Sequence, residues 1–84
     1  MKAVMLRSIV KELMAWREDT TPDDIATVCV DRATGDLDWE PGIYVEPHNV
    51  ALFTVYGGPI KQYVDTSDGL EMAIACSLEK HGIF

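Results

Sequence analysis

Residues 50–64, VALFTVYGGPIKQYV, decide the fold of this chain. The first half is rich in β-branched and aromatic residues, which favour a strand. Both alternating sets of residues 50–56 are largely apolar, and this is typical of a strand that is covered on both faces. Gly57 and Gly58 supply the positive φ angles that a tight hairpin turn requires. We therefore predict a hairpin with a central first strand and a return strand over 60–64.

Two segments precede this hairpin. Residues 3–17 place apolar side chains such as Met5, Ile9 and Leu13 on one side at helical spacing, so we predict a core-packing amphipathic helix. After a polar break, the β-branched run that follows predicts a strand over 26–32. Thr21 before Pro22 is also a helix-start signal, so a helix over residues 22–32 remains the alternative.

The remaining elements are short or C-terminal. Gly35 predicts a chain reversal, followed by a strand over 37–40 and a second short strand, or a continuation of the first, over 43–45. The last predicted element is a helix over 68–81. Asp68 would cap its start, and Gly82 would end it.

The order of these elements defines the expected fold class. It is a single α+β domain over residues 1–84, with a helix, an antiparallel sheet of three or four strands and a C-terminal helix. Both helices should pack on one sheet face, because this arrangement buries one face and two helical stripes. The order resembles that of the double-stranded-RNA-binding domain, but the basic residues of such domains are absent, so the resemblance implies no function here.

Composition and charge restrict the class of function. The chain has 48% apolar and 25% charged residues and a net charge of −7, as an ordinary globular protein can have. Residues 1–17 carry four cations against one acid, whereas residues 18–46 carry nine acids against Arg32. Direct nucleic-acid binding is therefore not expected, and a basic partner protein is. No apolar run spans a bilayer, and the two cysteines show no metal or redox spacing, so we expect a cytoplasmic protein without membrane contact.

The first candidate site is an acidic ladder formed by Asp36, Asp38 and Glu40. In an extended segment these carboxylates share one face about 6.8 Å apart, a spacing on the order of that between successive phosphates of one nucleic-acid strand. Arginine and lysine accept carboxylate as readily as phosphate. Trp39 would point to the opposite face and anchor the strand. The alternative is a solvated face that only keeps the protein soluble. The acids predicted to contact a partner are Asp23, Asp24, Asp36, Asp38, Glu40 and Glu46.

The second candidate is an exposed apolar surface. If both helices cover one sheet face, then Leu52 and Tyr56, or else Phe53 and Val55, face away from them. The outer side of the last helix adds further apolar residues. Such a patch would make a homodimer the simplest explanation, unless the segment 33–49 covers it. The residues predicted for this oligomer interface are Leu52, Tyr56, Met72 and Cys76.

Catalytic and metal sites are not predicted. Cys76 and His81 are out of register on one helix, and both cysteines lie in apolar runs, where a buried thiol is usual. Zinc would need ligand pairs at short spacing, and no glycine-rich loop opens a helix. We therefore expect no enzyme activity, no metal and no cofactor. An enzyme would instead require a pocket that holds His48 with Cys29 or an acid.

These observations lead to one functional hypothesis and one rival. Small size, acid excess and the absence of catalytic motifs resemble the broad class of phage or mobile-element inhibitors, including anti-CRISPR-like nucleic-acid mimics. The resemblance implies a protein-binding module that blocks a basic groove on a nucleic-acid-binding protein. The rival is a self-associating structural or accessory subunit.

Overall fold

A computed structural model describes residues 3–59 and 66–83 of the chain. The elements are helix α1 (Ala3–Asp19), strands β1 (Ile25–Asp31), β2 (Leu37–Pro41) and β3 (Asn49–Tyr56), and helix α2 (Ser67–Lys80). This order confirms the predicted α+β class. The predicted return strand over 60–64 lies outside the described residues.

The three described strands form an antiparallel sheet with the order β2-β1-β3. The middle of these three strands is therefore β1. The predicted central place of residues 50–56 depends on a return strand over 60–64, which lies outside the described residues. The physical reason for the middle position of β1 lies in its sequence, where five consecutive residues from Ala26 to Val30 are buried. The side chains of this run are buried on both faces of the sheet, whereas β3 keeps Ala51 exposed.

The segment before β1 is a turn, so the alternative of a helix over 22–32 is wrong. The N–H of Asp24 donates to the carbonyl of Thr21 at 3.1 Å. The Asp24 carboxylate in turn accepts from the Thr21 N–H at 2.8 Å and from its hydroxyl at 3.0 Å. The residues that signal a helix start instead close this turn, because Thr and Asp side chains bond nearby backbone in non-helical segments equally well.

The predicted short strand over 43–45 is also wrong. These residues are irregular, and Ile43 and Tyr44 are 72% and 70% exposed. The preceding Gly42 has a φ of 88°, which turns the chain away from β2. Ile43 and Tyr44 therefore belong to an open loop.

A β-bulge in β3 decides which of its side chains reach the core. Val28 pairs with Phe53 but Cys29 pairs with Ala51, so Leu52 is the extra residue. Leu52 and Phe53 consequently both pack into or against the core. The strict alternation that placed Leu52 and Tyr56 on one face fails at this point.

The hydrophobic core lies between the two helices and one face of the sheet. Of the predicted α1 stripe, Ile9 and Leu13 are buried and Met5 is half-buried. Three residues spaced four apart on α2 are also buried. Neither described helix is long and apolar enough to cross a membrane. The buried core comprises Leu6, Ile9, Val10, Leu13, Ala26, Val28, Val30, Leu37, Leu52, Val55, Leu70, Ile74 and Leu78.

The two ends of α2 follow the rules for helix caps. The N-cap is Thr66, whose hydroxyl accepts from the Gly69 N–H at 3.0 Å, so the prediction of Asp68 as N-cap is wrong by two residues. At the other end Gly82 has a φ of 71° and donates to the carbonyl of Glu79, while Ile83 donates to that of Leu78. This is a Schellman motif, and it confirms the predicted stop at Gly82.

Gly57 and Gly58 pack tightly against the segment that follows α1. Their N–H groups donate to the carbonyls of Asp24 and Arg17, both at 2.8 Å. A Cβ atom on Gly57 would lie 2.7 Å from the Thr21 carbonyl oxygen, and one on Gly58 would lie 2.7 Å from the Pro22 nitrogen. Close approach therefore restricts both positions to glycine. The predicted positive φ is found at Gly58, where it is 89°, but not at Gly57.

Candidate functional site: an acidic sheet face

The acidic ladder lies on the sheet face that points away from the helices. Asp38 and Glu40 pair with Cys29 and Thr27 of β1, whereas the alternating residues of both strands belong to or pack against the core. Because paired residues in a sheet share a face, both carboxylates project on the same outer side. Two residues of β2 separate them by about 6.8 Å.

Trp39, between these two acids, holds β2 against the core. It packs against the core cluster, and its ring centroid lies 5.8 Å from that of Trp16 at an interplanar angle of 58°. Tilted aromatic pairs of this kind contribute about 0.5–1.5 kcal/mol beyond the area that they bury. The prediction that Trp39 anchors the ladder from the opposite face is confirmed.

Asp36 extends the ladder beyond the end of β2. Its carbonyl accepts from the N–H of Asp31 at 2.9 Å, which continues the β1–β2 register by one pair. The Asp31 carboxylate bonds the N–H groups of Thr34 and Ala33 at 3.0 and 2.7 Å, and these bonds lower the pKa of Asp31. Its other oxygen lies 3.9 Å from Nε2 of His48. Asp31 therefore fixes the turn next to the ladder and adds a carboxylate there.

Cys29 lies on β1, directly opposite Asp38 of the ladder. The thiol is fully buried, and its sulfur is 3.6 Å from the carbonyl oxygen of Asp38. Burial, followed by the negative charges of Asp38 and Glu40, raises the pKa of Cys29 to about 11. The negative charges of Asp38 and Glu40 therefore both act on the buried Cys29 sulfur. A thiol held protonated in this way is also a poor nucleophile.

The other predicted acids are placed less uniformly. Asp23 and Asp24 are exposed and precede β1, at the end of the sheet where β2 finishes. One oxygen of the Asp24 carboxylate is used in the turn with Thr21. Glu46 lies in the loop before β3, and its backbone carbonyl accepts from Asn49. The structure thus brings Asp23 and Asp24 to one end of the ladder, whereas Glu46 makes no described side-chain contact with it.

One exposed cation, Arg32, follows Asp31 in the turn next to the ladder, and the other described cations lie elsewhere. Arg7 and Lys11 are exposed on α1, and they line a cleft between the two helices together with Glu71 of α2. Arg17 is buried, and its Nε donates to the carbonyl of Tyr56 at 3.1 Å. Within residues 3–59 and 66–83, the ladder carboxylates form no ion pair with arginine or lysine.

The predicted oligomer interface is not one surface. Leu52 is only 8% exposed and belongs to the core, so its assignment to an exposed patch is wrong because of the bulge in β3. Tyr56 is half-buried on the outer sheet face, opposite Ile25. Met72 and Cys76 are exposed one turn apart on α2. Only the pair on α2 remains a candidate for helix-mediated association.

Sequence reasoning missed Asp31, Cys29 and Trp16 as parts of this region. Pairing residues 25–31 with 36–41 as a hairpin would have placed Asp31 opposite Asp36 and Cys29 opposite Asp38. No comparable signal marks Trp16, which joins the region only through its packing on Trp39. The chain matches no known family model, no curated protein and no solved structure.

Proposed function

We propose that this protein is a small, non-catalytic binding module whose acidic ladder occupies a basic groove on a nucleic-acid-binding protein. The supporting observation is that Asp38 and Glu40 project from one sheet face without an arginine or lysine partner among the described residues. Carboxylates in this arrangement offer arginine and lysine side chains the same kind of contacts as successive phosphates. A phage or mobile-element inhibitor that mimics nucleic acid would act in this way.

Rigid presentation supports the same proposal. The ladder strand pairs with β1 along its whole length, and Trp39 fixes it to α1 through Trp16. Acids that are held in place lose less conformational entropy on binding than acids on a mobile loop. A ladder on a paired strand therefore binds more tightly than the same charges on a flexible segment.

The distribution of charge supports a basic protein as the partner. The exposed cations Arg7 and Lys11 lie on α1, which packs on the sheet face opposite the ladder. Exposed acids outnumber these two cations on α1 as well, since Glu12, Glu18 and Asp19 are exposed there. A basic groove is therefore attracted to the chain as a whole, and the ladder offers it a fixed set of acids. Such complementarity raises the association rate and fixes the orientation of the complex.

A competition experiment tests the proposal. The protein is added to a panel of purified nucleic-acid-binding proteins with basic grooves, each holding fluorescently labelled duplex DNA or RNA. We expect release of the labelled nucleic acid from at least one of them, with an inhibition constant that weakens as salt is raised. The triple variant Asp36→Asn, Asp38→Asn and Glu40→Gln should raise the inhibition constant at least about tenfold.

The matched control removes the same charge elsewhere. Glu12→Gln, Glu18→Gln and Glu79→Gln change three exposed helical acids and so alter the net charge by the same amount. The proposal requires that this triple variant inhibit nearly as well as the native chain. Equal loss in both triple variants would mean that only total charge matters, and inhibition that ignores salt and the ladder variant would remove the proposal.

Self-association remains the second candidate, supported by one observation. Met72 is 69% exposed and lies one helical turn from the exposed Cys76 on α2. Sedimentation equilibrium of the native chain and of Met72→Gln, under reducing conditions, tests this function. A dimer that Met72→Gln dissociates supports it, and a native monomer at all concentrations excludes it.

A further inference from the structure

A cleft at the end of the sheet combines an aromatic ring, carboxylates and an exposed apolar side chain. It has a volume of about 350 Å³ and is lined by Trp16 of α1, by Asp23 and Asp24 of the turn before β1, and by Ile43 of the loop after β2. This volume lies at the lower end of the range of about 300–1,000 Å³ typical of sites for small ligands. The cleft is separate from the ladder face but begins at Pro41, one residue beyond Glu40.

We infer that this cleft binds one arginine side chain of the partner protein. The inference rests on the proposed function, because the same basic partner would supply both the groove for the ladder and this arginine. A guanidinium group is planar, forms paired hydrogen bonds with a carboxylate and stacks on an indole ring. Trp16 lines the cleft with an indole ring and Asp23 with a carboxylate. One oxygen of Asp24 is held by Thr21, which leaves the other to accept from the ligand.

Two further features favour an arginine over other occupants. Ile43 is 72% exposed at the edge of the cleft, where the aliphatic part of an arginine side chain would cover it. The carboxylates of Asp23 and Asp24 form no ion pair in the part of the chain that the structure describes. Their negative charge attracts a cation, and a guanidinium adds paired hydrogen bonds and stacking that other cations do not offer.

An NMR titration of the full native chain tests the inference. The probe is Nα-acetyl-arginine amide, and its matched control is the citrulline amide, which has the same shape without the charge. We expect saturable shifts of the Trp16 indole N–H and of the Asp23, Asp24, Gly42 and Ile43 amides with the arginine probe alone. Equal shifts with citrulline, shifts confined to other residues, or no saturable shift would overturn the inference.

Variants and a second cation sharpen this result. Asp23→Asn should weaken arginine binding roughly two- to fivefold. Asp19→Asn, which removes the same charge at the end of α1 outside the cleft, should leave it unchanged. The lysine amide should bind more weakly because ammonium neither stacks nor forms paired bonds. Lysine binding as tight as arginine binding would contradict the assignment to a guanidinium group.

Failure of this inference and failure of the proposed function give different results. The chain carrying the ladder substitutions Asp36→Asn, Asp38→Asn and Glu40→Gln should still bind the arginine probe in the cleft. If the probe does not bind but the ladder substitutions abolish inhibition, the cleft inference alone fails. If the probe binds in the cleft but inhibition ignores the ladder, the proposed function alone fails.

Discussion

At the residue scale, Cys29 reports the electrostatics of the ladder face. Its folded-state pKa rises from 9.0 to about 11, first because the thiol is buried and then because Asp38 and Glu40 are close. Between these pH values the unfolded chain releases the thiol proton and the folded chain retains it. Folding stability therefore falls as pH rises through this window, and the contribution is fully present below about pH 9.

The first prediction concerns this alkaline window. With Cys76→Ser in both proteins, the free energy of unfolding should fall with pH by roughly 1 kcal/mol per unit more in the protein that retains Cys29 than in Cys29→Ala. Urea unfolding at intervals from pH 8 to 11 measures this difference in the free energy of unfolding. The other titrating groups are the same in both proteins, so their contributions cancel. Parallel curves for the two proteins would show that the thiol is not held protonated by its surroundings.

The second prediction compares two glycines that the fold requires for different physical reasons. Gly57→Ala should destabilise by about 2–4 kcal/mol, because its Cβ would meet the Thr21 carbonyl at 2.7 Å. Gly42→Ala should cost only about 1–2 kcal/mol, because its φ of 88° is strained but a Cβ there meets nothing within 4 Å. Urea unfolding of both variants measures the order, and the reverse order would contradict the described packing.

At the element scale, the main question is which strand organises the sheet. The residue types and turn signals of the sequence correctly predict both helices, β1, β2 and β3. They do not predict that β1 lies between β2 and β3, because strand order depends on pairings between distant residues. The bulge at Leu52 is equally hidden, since one extra residue leaves the composition of the strand unchanged.

Only the local part of the candidate site could be predicted from the sequence. The alternation of Asp36, Asp38 and Glu40 is a local property, so their common face could be predicted from the sequence. The cleft combines Trp16 and Asp23, which are seven residues apart, with Ile43, which follows 20 residues later. Only tertiary packing brings them together, and no local spacing could indicate it.

The third prediction concerns the start of α2. Thr66→Ala should destabilise by about 1 kcal/mol, because the hydroxyl that accepts from the Gly69 N–H is lost. Asp68→Ala should cost about 0.5 kcal/mol or less, since Asp68 contributes only a favourable charge in the first turn. Thermal unfolding of both variants distinguishes the two, and a larger effect at Asp68 would restore it as the N-cap.

At the scale of the whole molecule, acids outnumber cations on both the sheet side and the helix side. The ladder and Asp31 lie on the sheet side with Arg32 next to them. On α1, the exposed Arg7 and Lys11 are outnumbered by the exposed Glu12, Glu18 and Asp19. With a net charge of −7, the folded chain has an excess of repulsion among its acids. Salt should therefore stabilise the fold, and the ladder should be responsible for a measurable part of that effect.

The fourth prediction follows from this repulsion. At low salt, Asp36→Asn with Asp38→Asn and Glu40→Gln should raise the unfolding midpoint by roughly 2–5 °C, because neighbouring charges about 6.8 Å apart no longer repel. The gain should shrink at high salt as screening removes the repulsion. Calorimetry at two salt concentrations measures it, and a lowered midpoint at low salt would mean that the acids are paired after all.

The most direct test of the central claim is the salt dependence of affinity for a protein that the native chain inhibits. Isothermal titration at several salt concentrations is carried out with the native chain, the ladder triple variant and the Glu12/Glu18/Glu79 triple variant. We predict a steep loss of affinity with salt for the native chain and the helical variant, and a much shallower one for the ladder variant. The same dependence in all three chains would contradict the claim that the acidic ladder is the contact surface.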